Sequence, residues 1–404
     1  MAGFHEPQSE EEVAGRLRYE RVASPYERFM EEEGIPIYRN FIGVYDVRNL
    51  TLGPWQRMGG RGSYIYLLGT TGRGMYVVEV PAAGALNPEH HIYEELFYVV
   101  EGRGSTEVWR EGTTKRQAFE WQPGSLFSIP VNTSHRLVNA TSSPALLIAV
   151  TSAPTLINQF NNLRFVFDSS FDFTDRYDEA DAFFKPNLEV VPHPITGRAV
   201  VKSNIIPDIA LCDLPLDNQR SPGYRRIEPH MTGNQALHVF VGEHAQGRYA
   251  KAHRGEGSGA TAAVLLCLGG KGYTFTWPHD LGIHPWQDNK GDQVLRQDYV
   301  PGGMVCSSPL GAGFFHAHYG VGKERLRFLA LLGPNIFGEQ RRRRGGEDKN
   351  QTTTISPNAD IRDGGLTIGY DIEDPYVRKT FQQELAKVGV EFRMSESVYA
   401  PHGS

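Results

Sequence analysis

The chain has 404 residues and a formal net charge of -6. That length allows two or three domains with sizeable cores, and the charge lacks the basic excess on which nucleic-acid binding draws. With 44 glycines and 25 prolines punctuating short apolar runs, the composition argues for β structure. Cys212, Cys267 and Cys306 have no metal-ligand spacing, and their scarcity fits a reducing compartment, with Cys267 and Cys306 reading as small core residues. The first residues carry no apolar signal-like stretch, and no run approaches the ~18 apolar residues of a membrane span. The expectation is a soluble cytoplasmic protein that binds neither nucleic acid nor membrane.

In chain order, residues 1 to about 40 are charged and helix-prone. Glu10, Glu11, Glu12 and Glu31, Glu32, Glu33 read as solvated helix faces. Pro54, Trp55, Gly59, Gly60 and Gly62 read as a loop, and Arg57 and Arg61 within it as surface arginines; pairing with a substrate carboxylate is their functional alternative. Strands are expected near residues 64–68, 74–80, 95–100, 105–109, 125–129, 135–138 and 145–150, a sandwich or small barrel.

Two stretches inside that run carry chemistry. Glu89-His90-His91-Ile92-Tyr93-Glu94-Glu95 leads into an alternating strand that turns at Gly102. Strand side chains alternate faces, so His91, Glu95 and Glu89 share one face and His90 the other. The second stretch runs from Gly124 to Pro130, then His135 and Asn139, bringing a second histidine toward the same interior. A histidine alone in a strand is usually a packed core residue, but these spacings together favour a ligand set. Two imidazoles and one carboxylate are what an open non-haem iron or manganese site uses. The pattern resembles the cupin family, whose first motif is a Gly, His-x-His, a Glu three or four residues on, then Gly. Its second is a Gly, Pro-x-Gly-x-x-His, then Asn. Here Glu89 stands where the first histidine is expected and Asn132 where the glycine after the proline is expected. The resemblance implies a jelly-roll barrel with a metal on His91, Glu95 and His135. Glu89 is a fourth ligand, a substrate-facing base, or a charge that keeps the site vacant.

The chain then repeats itself. Val99-Val100-Glu101-Gly102-Arg103-Gly104, with Trp109 beyond, returns as Leu266-Cys267-Leu268-Gly269-Gly270-Lys271-Gly272, with Trp277 beyond. Gly124 to Pro130 returns as Gly303 to Pro309, and residues 145–149 return as 326–330. The expected fold is all-β, two tandem cupin barrels (a bicupin) with helical N- and C-terminal extensions. The expected organisation is an arm over 1–45, a barrel over 46–155, a linker over 156–225, a second barrel over 226–336, and a tail over 337–404. Aligning Gly102 with Gly270 sets Gly259 opposite His91 and Ala263 opposite Glu95. His253, His316 and His318, with Glu256 nearby, could form a three-histidine site; the competing reading is a vestigial barrel. His238, His244, His279 and His284 read as loop or surface residues. Arg341 to Arg344 reads as a solvated linker. Asp374 caps a helix opened by Pro375 and ended by Gly389. Its apolar residues Val377, Phe381, Leu385 and Val388 should pack on a barrel or a partner subunit, and a symmetric homo-oligomer is the default.

Among bicupins the plan resembles ring-cleaving dioxygenases of the gentisate and hydroxynaphthoate type, where one barrel is active and the other degenerate. It also resembles oxalate decarboxylases, which keep His-x-His motifs in both barrels. Glu89 and the lost second-barrel glutamate argue against oxalate chemistry. The resemblance implies an Fe(II) dioxygenase with Glu89, His91, Glu95 and His135 at its centre, acting on a small aromatic hydroxy acid or phenol. The alternatives are a Mn(II)- or Zn(II)-dependent lyase, decarboxylase or isomerase with Glu89 as general base, and a non-catalytic small-molecule-binding bicupin.

Overall fold

The computed structural model describes residues 8–16, 20–70, 72–193, 197–218, 220–231, 237–254, 263–309, 313–332 and 358–401. Glu256, Gly259 and Arg341 to Arg344 lie outside the described residues. Strands dominate, and they form two sandwich-like barrels, each a large sheet over a small one. The large sheet of the first barrel runs Ile37–Arg39, Gly60–Tyr66, Gly74–Val80, Ala145–Thr151, Glu95–Glu101, Leu126–Ile129 and Ile205–Ile206. Its small sheet runs Gly84–Ala85, Ser134–Asn139, Gly104–Trp109 and Arg116–Trp121. The second barrel repeats this. Its large sheet is ordered Val190–Pro192, Ala199–Lys202, Arg225–His230, His238–His244, Leu326–Leu332, Val264–Gly269, Met304–Cys306 and Gly43–Val44. The small sheet is His253–Arg254, Phe314–Gly320, Gly272–Pro278 and Leu295–Tyr299.

The barrels exchange edge strands. Gly43–Val44 pairs with Met304–Cys306 of the second barrel, and Ile205–Ile206 pairs with Leu126–Ile129 of the first. Gly43 is required there, since a Cβ would stand 2.4 Å from the Met304 carbonyl oxygen.

Alternation along the large sheets assigns side chains to two cores. Leu147 and Ala149 point into the first barrel, with Phe97, Val99 and Phe127. Leu146, Ile148 and Val150 point outward, with Val77 and Leu96, and meet Val239, Val241, Val264, Leu266, Leu329 and Leu331 from the outer face of the second barrel. Both faces of these strands are dry, so Ala145–Thr151 is buried throughout its length, an apolar run without polar alternation. Arg73, fully buried at this junction, donates from Nη1 to the Leu331 carbonyl.

Two local expectations are corrected. Pro54, Trp55, Gly60 and Gly62 are not a loop: Gly53–Trp55 and Gly60–Tyr66 form an antiparallel pair. The glycines serve close approach, because a Cβ on Gly62 would meet Trp55 Cε3 at 2.4 Å. The helix Pro375–Lys387 is capped by Asp374, which accepts from Tyr376 N at 3.0 Å, and is followed by Gly389 at φ 68°. Val377, Phe381 and Leu385 are buried against Tyr249 and Tyr319 of the second barrel, but Val388 is exposed. The chain covers its own helix, so that stripe gives no argument for a partner subunit. Among the described residues no helix is long and apolar enough to cross a membrane.

Ile148 is fully buried between the barrels. Ile148→Ala should cost about 2–5 kcal/mol in urea unfolding monitored by tryptophan fluorescence. A loss below about 1 kcal/mol would mean that the inter-barrel core adds little to stability.

Candidate metal centre

Glu95 opens its strand, paired with Ile129 on one side and Thr151 on the other. His135 is the second residue of Ser134–Asn139, opposite Val108. His91 is not on a strand, contrary to the alternation argument; it lies just before the bend at Ile92 and Tyr93 that leads to Glu95. The bend is pinned from three sides. Glu89 and His135 exchange backbone hydrogen bonds of 2.8 and 2.9 Å, Asn132 N donates to the His91 carbonyl at 3.0 Å, and Ile92 N donates to the Val166 carbonyl at 2.9 Å. Asn132 sits at φ 57°, left-handed backbone that asparagine tolerates better than most residues. That explains why it can replace the expected glycine, and its amide also donates to the Ser169 and Phe171 carbonyls at 2.9 and 2.6 Å.

The donor atoms converge. His91 Nε2 and His135 Nε2 each lie 3.4 Å from Glu95 Oε2, and His91, Glu95 and His135 each offer one ligand atom within 4.8 Å of the others. The two imidazole rings are 5.4 Å apart and nearly perpendicular, at 81°. Tyr93 sets one tautomer: His91 Nδ1 donates to its carbonyl at 3.0 Å, leaving the Nε2 lone pair free, while the tyrosine ring stacks on the imidazole at 3.6 Å. Tyr76 Oη donates to Glu95 Oε1 at 2.5 Å, turning Oε2 toward the histidines. His91 Nε2 and both ring nitrogens of His135 are buried without a hydrogen-bond partner. A polar atom left so costs about 1–3 kcal/mol, and a divalent cation between the three groups would remove that penalty for both Nε2 atoms. Burial pushes the Glu95 carboxyl up, but the adjacent His135 and His91 outweigh it and hold Glu95 well below the usual carboxylate range. The donor set, neutral nitrogens plus a carboxylate, fits a divalent metal.

Glu89 lies beside this cluster but faces another partner. Its carboxylate accepts from Arg57 Nη1, and Arg57 Nε donates to Glu33 Oε1 and Oε2 at 2.9 and 2.8 Å. Trp55 Nε1 also donates to Glu33. Burial pushes the Glu89 carboxyl up, with Arg57 acting against it. The surface reading of Arg57 and the solvated reading of Glu33 are therefore corrected. Arg57 is held beside the rings of Trp55, Phe167 and Phe29, at 5.3, 5.5 and 5.7 Å. Phe29 comes from the helix Pro25–Glu32, fixed by a capping box in which Ser24 and Glu27 satisfy each other's backbone N–H. His90 turns away and bonds the Phe167 carbonyl, and Arg61, paired with Glu79, stays on the surface.

In the second barrel His253 and His316 face each other across the His253–Arg254 and Phe314–Gly320 pair, with rings 4.2 Å apart, and His318 lies 5.5 Å from His316. Among the described residues only His91, Glu95 and His135 meet as closely as a single ion requires. His244 was missed as a loop or surface residue; it is buried on His238–His244. Alternation was the available signal, since Val239 and Val241 face the inter-barrel core and Phe240 and His244 face the interior.

Removing Arg57 would leave Glu33 and Glu89 largely buried without their cationic partner. Arg57→Ala should cost about 2–4 kcal/mol in denaturant unfolding. The loss should shrink in a Glu89→Gln background; purely additive effects would mean that the two side chains are not coupled.

Residues 76–151 match the family described as "Cupin domain". No curated protein matches the chain. Among solved structures, a variant of oxalate decarboxylase from Bacillus subtilis is similar at 12% identity and a TM-score of 0.45, covering 73% of this chain and 78% of that one. Vicilin from Corylus avellana (hazelnut) is similar at 14% identity and a TM-score of 0.43, covering 73% and 86%. Neither likeness bears on chemistry. The strands that carry Glu95 and His135 fall inside the matched segment.

Proposed function

We propose that the first barrel holds one Fe(II) through His91 Nε2, Glu95 Oε2 and His135 Nε2, and that the protein is a dioxygenase of a small aromatic hydroxy acid or phenol. The observation that carries this reading is the convergence of two unpaired imidazole nitrogens and one carboxylate oxygen on a common point. Two histidines and a carboxylate leave coordination positions for substrate and O2, the arrangement of non-haem iron oxygenases. When bound, the iron supplies the redox chemistry toward O2.

The chain's own residues orient and shield. Tyr76 fixes which carboxylate oxygen faces the histidines, and the Tyr93 carbonyl fixes the His91 tautomer. Phe97, Phe127 and Leu137 are buried beside them and keep water from the donor atoms. Arg57 is the cation at the site's edge, and a substrate carboxylate would pair with it in competition with Glu89. The lyase reading needs Glu89 as a free base, which requires substrate to displace it from Arg57.

The test is metal analysis of protein purified without chelator, followed by an oxygen electrode with hydroxylated benzoates and phenols. About one iron per chain is expected, with bound iron falling at least ~10-fold in His135→Ala or Glu95→Ala. Tyr76→Phe should weaken iron binding by roughly 10-fold. His316→Ala should leave oxygen uptake intact. Full turnover without O2 would replace the dioxygenase with a metal-dependent lyase, decarboxylase or isomerase. Absence of tightly bound metal would leave a small-molecule-binding bicupin.

A further inference from the structure

We propose that Asn132 is a positioning residue that joins His91 to a strap, residues 161–173, and that this strap lifts to admit ligands to the centre in the first barrel. The inference rests on the reading of His91, Glu95 and His135 as a metal-binding group. Those side chains are only 2%, 1% and 1% exposed. No substrate-sized molecule reaches their donor atoms unless a covering element moves.

The strap is thinly attached. It contains the short helix Leu163–Phe167 and belongs to none of the sheets. Within it only Val166 is buried, while Leu163, Phe165 and Phe171 stand 38%, 44% and 63% exposed. Asp172 adds an ion pair to Arg110, at a half-exposed position where such pairs contribute little. Its two ends are fixed. Asn161 closes the preceding helix, Ala153–Phe160, in left-handed backbone at φ 44°. Beyond the other end Tyr177 is buried and donates to Gln117 Oε1 at 2.7 Å. A segment with so few buried contacts between two firm ends opens locally, without unfolding the barrel.

What holds the strap down is gathered around His91. Ile92 N donates to the Val166 carbonyl at 2.9 Å, and His90 Nδ1 bonds the Phe167 carbonyl at 2.9 Å. The Phe167 ring meets Tyr93, which stacks on the His91 imidazole. Asn132 works in both directions. Its backbone N–H donates to the His91 carbonyl at 3.0 Å, and its side-chain amide donates to the Ser169 and Phe171 carbonyls at 2.9 and 2.6 Å. Glycine would serve the φ of 57° at this position equally well, but would leave both strap carbonyls without those donors. The asparagine therefore adds an attachment that the backbone geometry does not require. That attachment is balanced and not locked. With the strap down, Asn132 Oδ1 is buried without a hydrogen-bond partner, and lifting the strap returns it to water.

The test uses the full chain, metal-free and loaded with Co(II), unaltered and as Asn132→Gly and Asn132→Asp. Both replacements tolerate left-handed backbone and lack the side-chain donors. Losing two hydrogen bonds should speed Co(II) release to a chelator roughly 10-fold or more. Co(II) uptake should speed alike, leaving affinity and the visible spectrum unchanged, because the backbone N–H that holds His91 remains. In metal-free protein the Ile92 amide, protected by the strap, should exchange with deuterium roughly 10-fold faster. The Glu89 and His135 amides, which bond each other's carbonyls, should keep their rates. Should one variant fail to fold, the other carries the test. A protein that takes up no Co(II) would end the metal reading, and Ile92 exchange would then decide the strap by itself. Unchanged Ile92 exchange, or unchanged Co(II) release, would overturn the proposal. So would weaker Co(II) binding with an altered spectrum, which would make Asn132 a support for His91 alone.

Discussion

The shared core between the two large sheets is the constraint on which the rest of the molecule depends. Val77, Leu96 and Ile148 from one barrel and Val241, Leu266 and Leu329 from the other form a single apolar layer. The hydrophobic effect rewards this by roughly 25 cal/mol for each Å² removed from water. It also fixes register absolutely, because a one-residue slip would turn Phe97 and Leu147 outward and Leu96 and Ile148 inward. The candidate metal centre inherits that precision: Glu95 begins the strand whose next residue, Leu96, is locked in the layer.

The two interiors diverge on this common scaffold. The first is lined by aromatic and aliphatic residues around one compact group of two histidines and a carboxylate. The second keeps threonines and histidines facing inward, with Thr274 and Thr276 fully buried and hydrogen-bonded. Burial penalises charge in both, with opposite outcomes. In the first, Glu95 remains ionised because its neighbours are histidines. In the second, burial above all holds His253 and His318 well below the usual histidine range.

Much of the architecture was legible in the chain because duplication is a pattern over whole segments, and Gly102 and Gly270 mark equivalent turns with φ of 83° and 75°. The closeness of His91, Glu95 and His135 was legible in their spacing, although alternation was the wrong reason for His91, which owes its position to hydrogen bonds from distant segments. What local pattern could not reveal is long-range pairing. Arg57 meets Glu33 and Glu89 at separations of 24 and 32 residues, and only the packing of a helix, a strand turn and a bend makes them neighbours. The reading of Glu89 depended on that contact. His244 failed differently: its strand alternates visibly, but both of its faces are buried, so alternation there separates two interiors and not interior from water.

The exchange of edge strands ties the order of synthesis to the order of folding. When the ribosome has released residues 37–151, the first barrel still lacks Ile205–Ile206 at one edge, and Gly43–Val44 has nothing to pair with until Met304–Cys306 emerges some 260 residues later. Contacts so far apart in sequence close slowly, and an unpaired strand edge is a template for association with other chains. A nascent chain of this design must therefore protect an open sheet through most of its translation. A fragment cut between the barrels would keep that exposed edge permanently, so neither half is expected to behave as an independent, well-soluble unit.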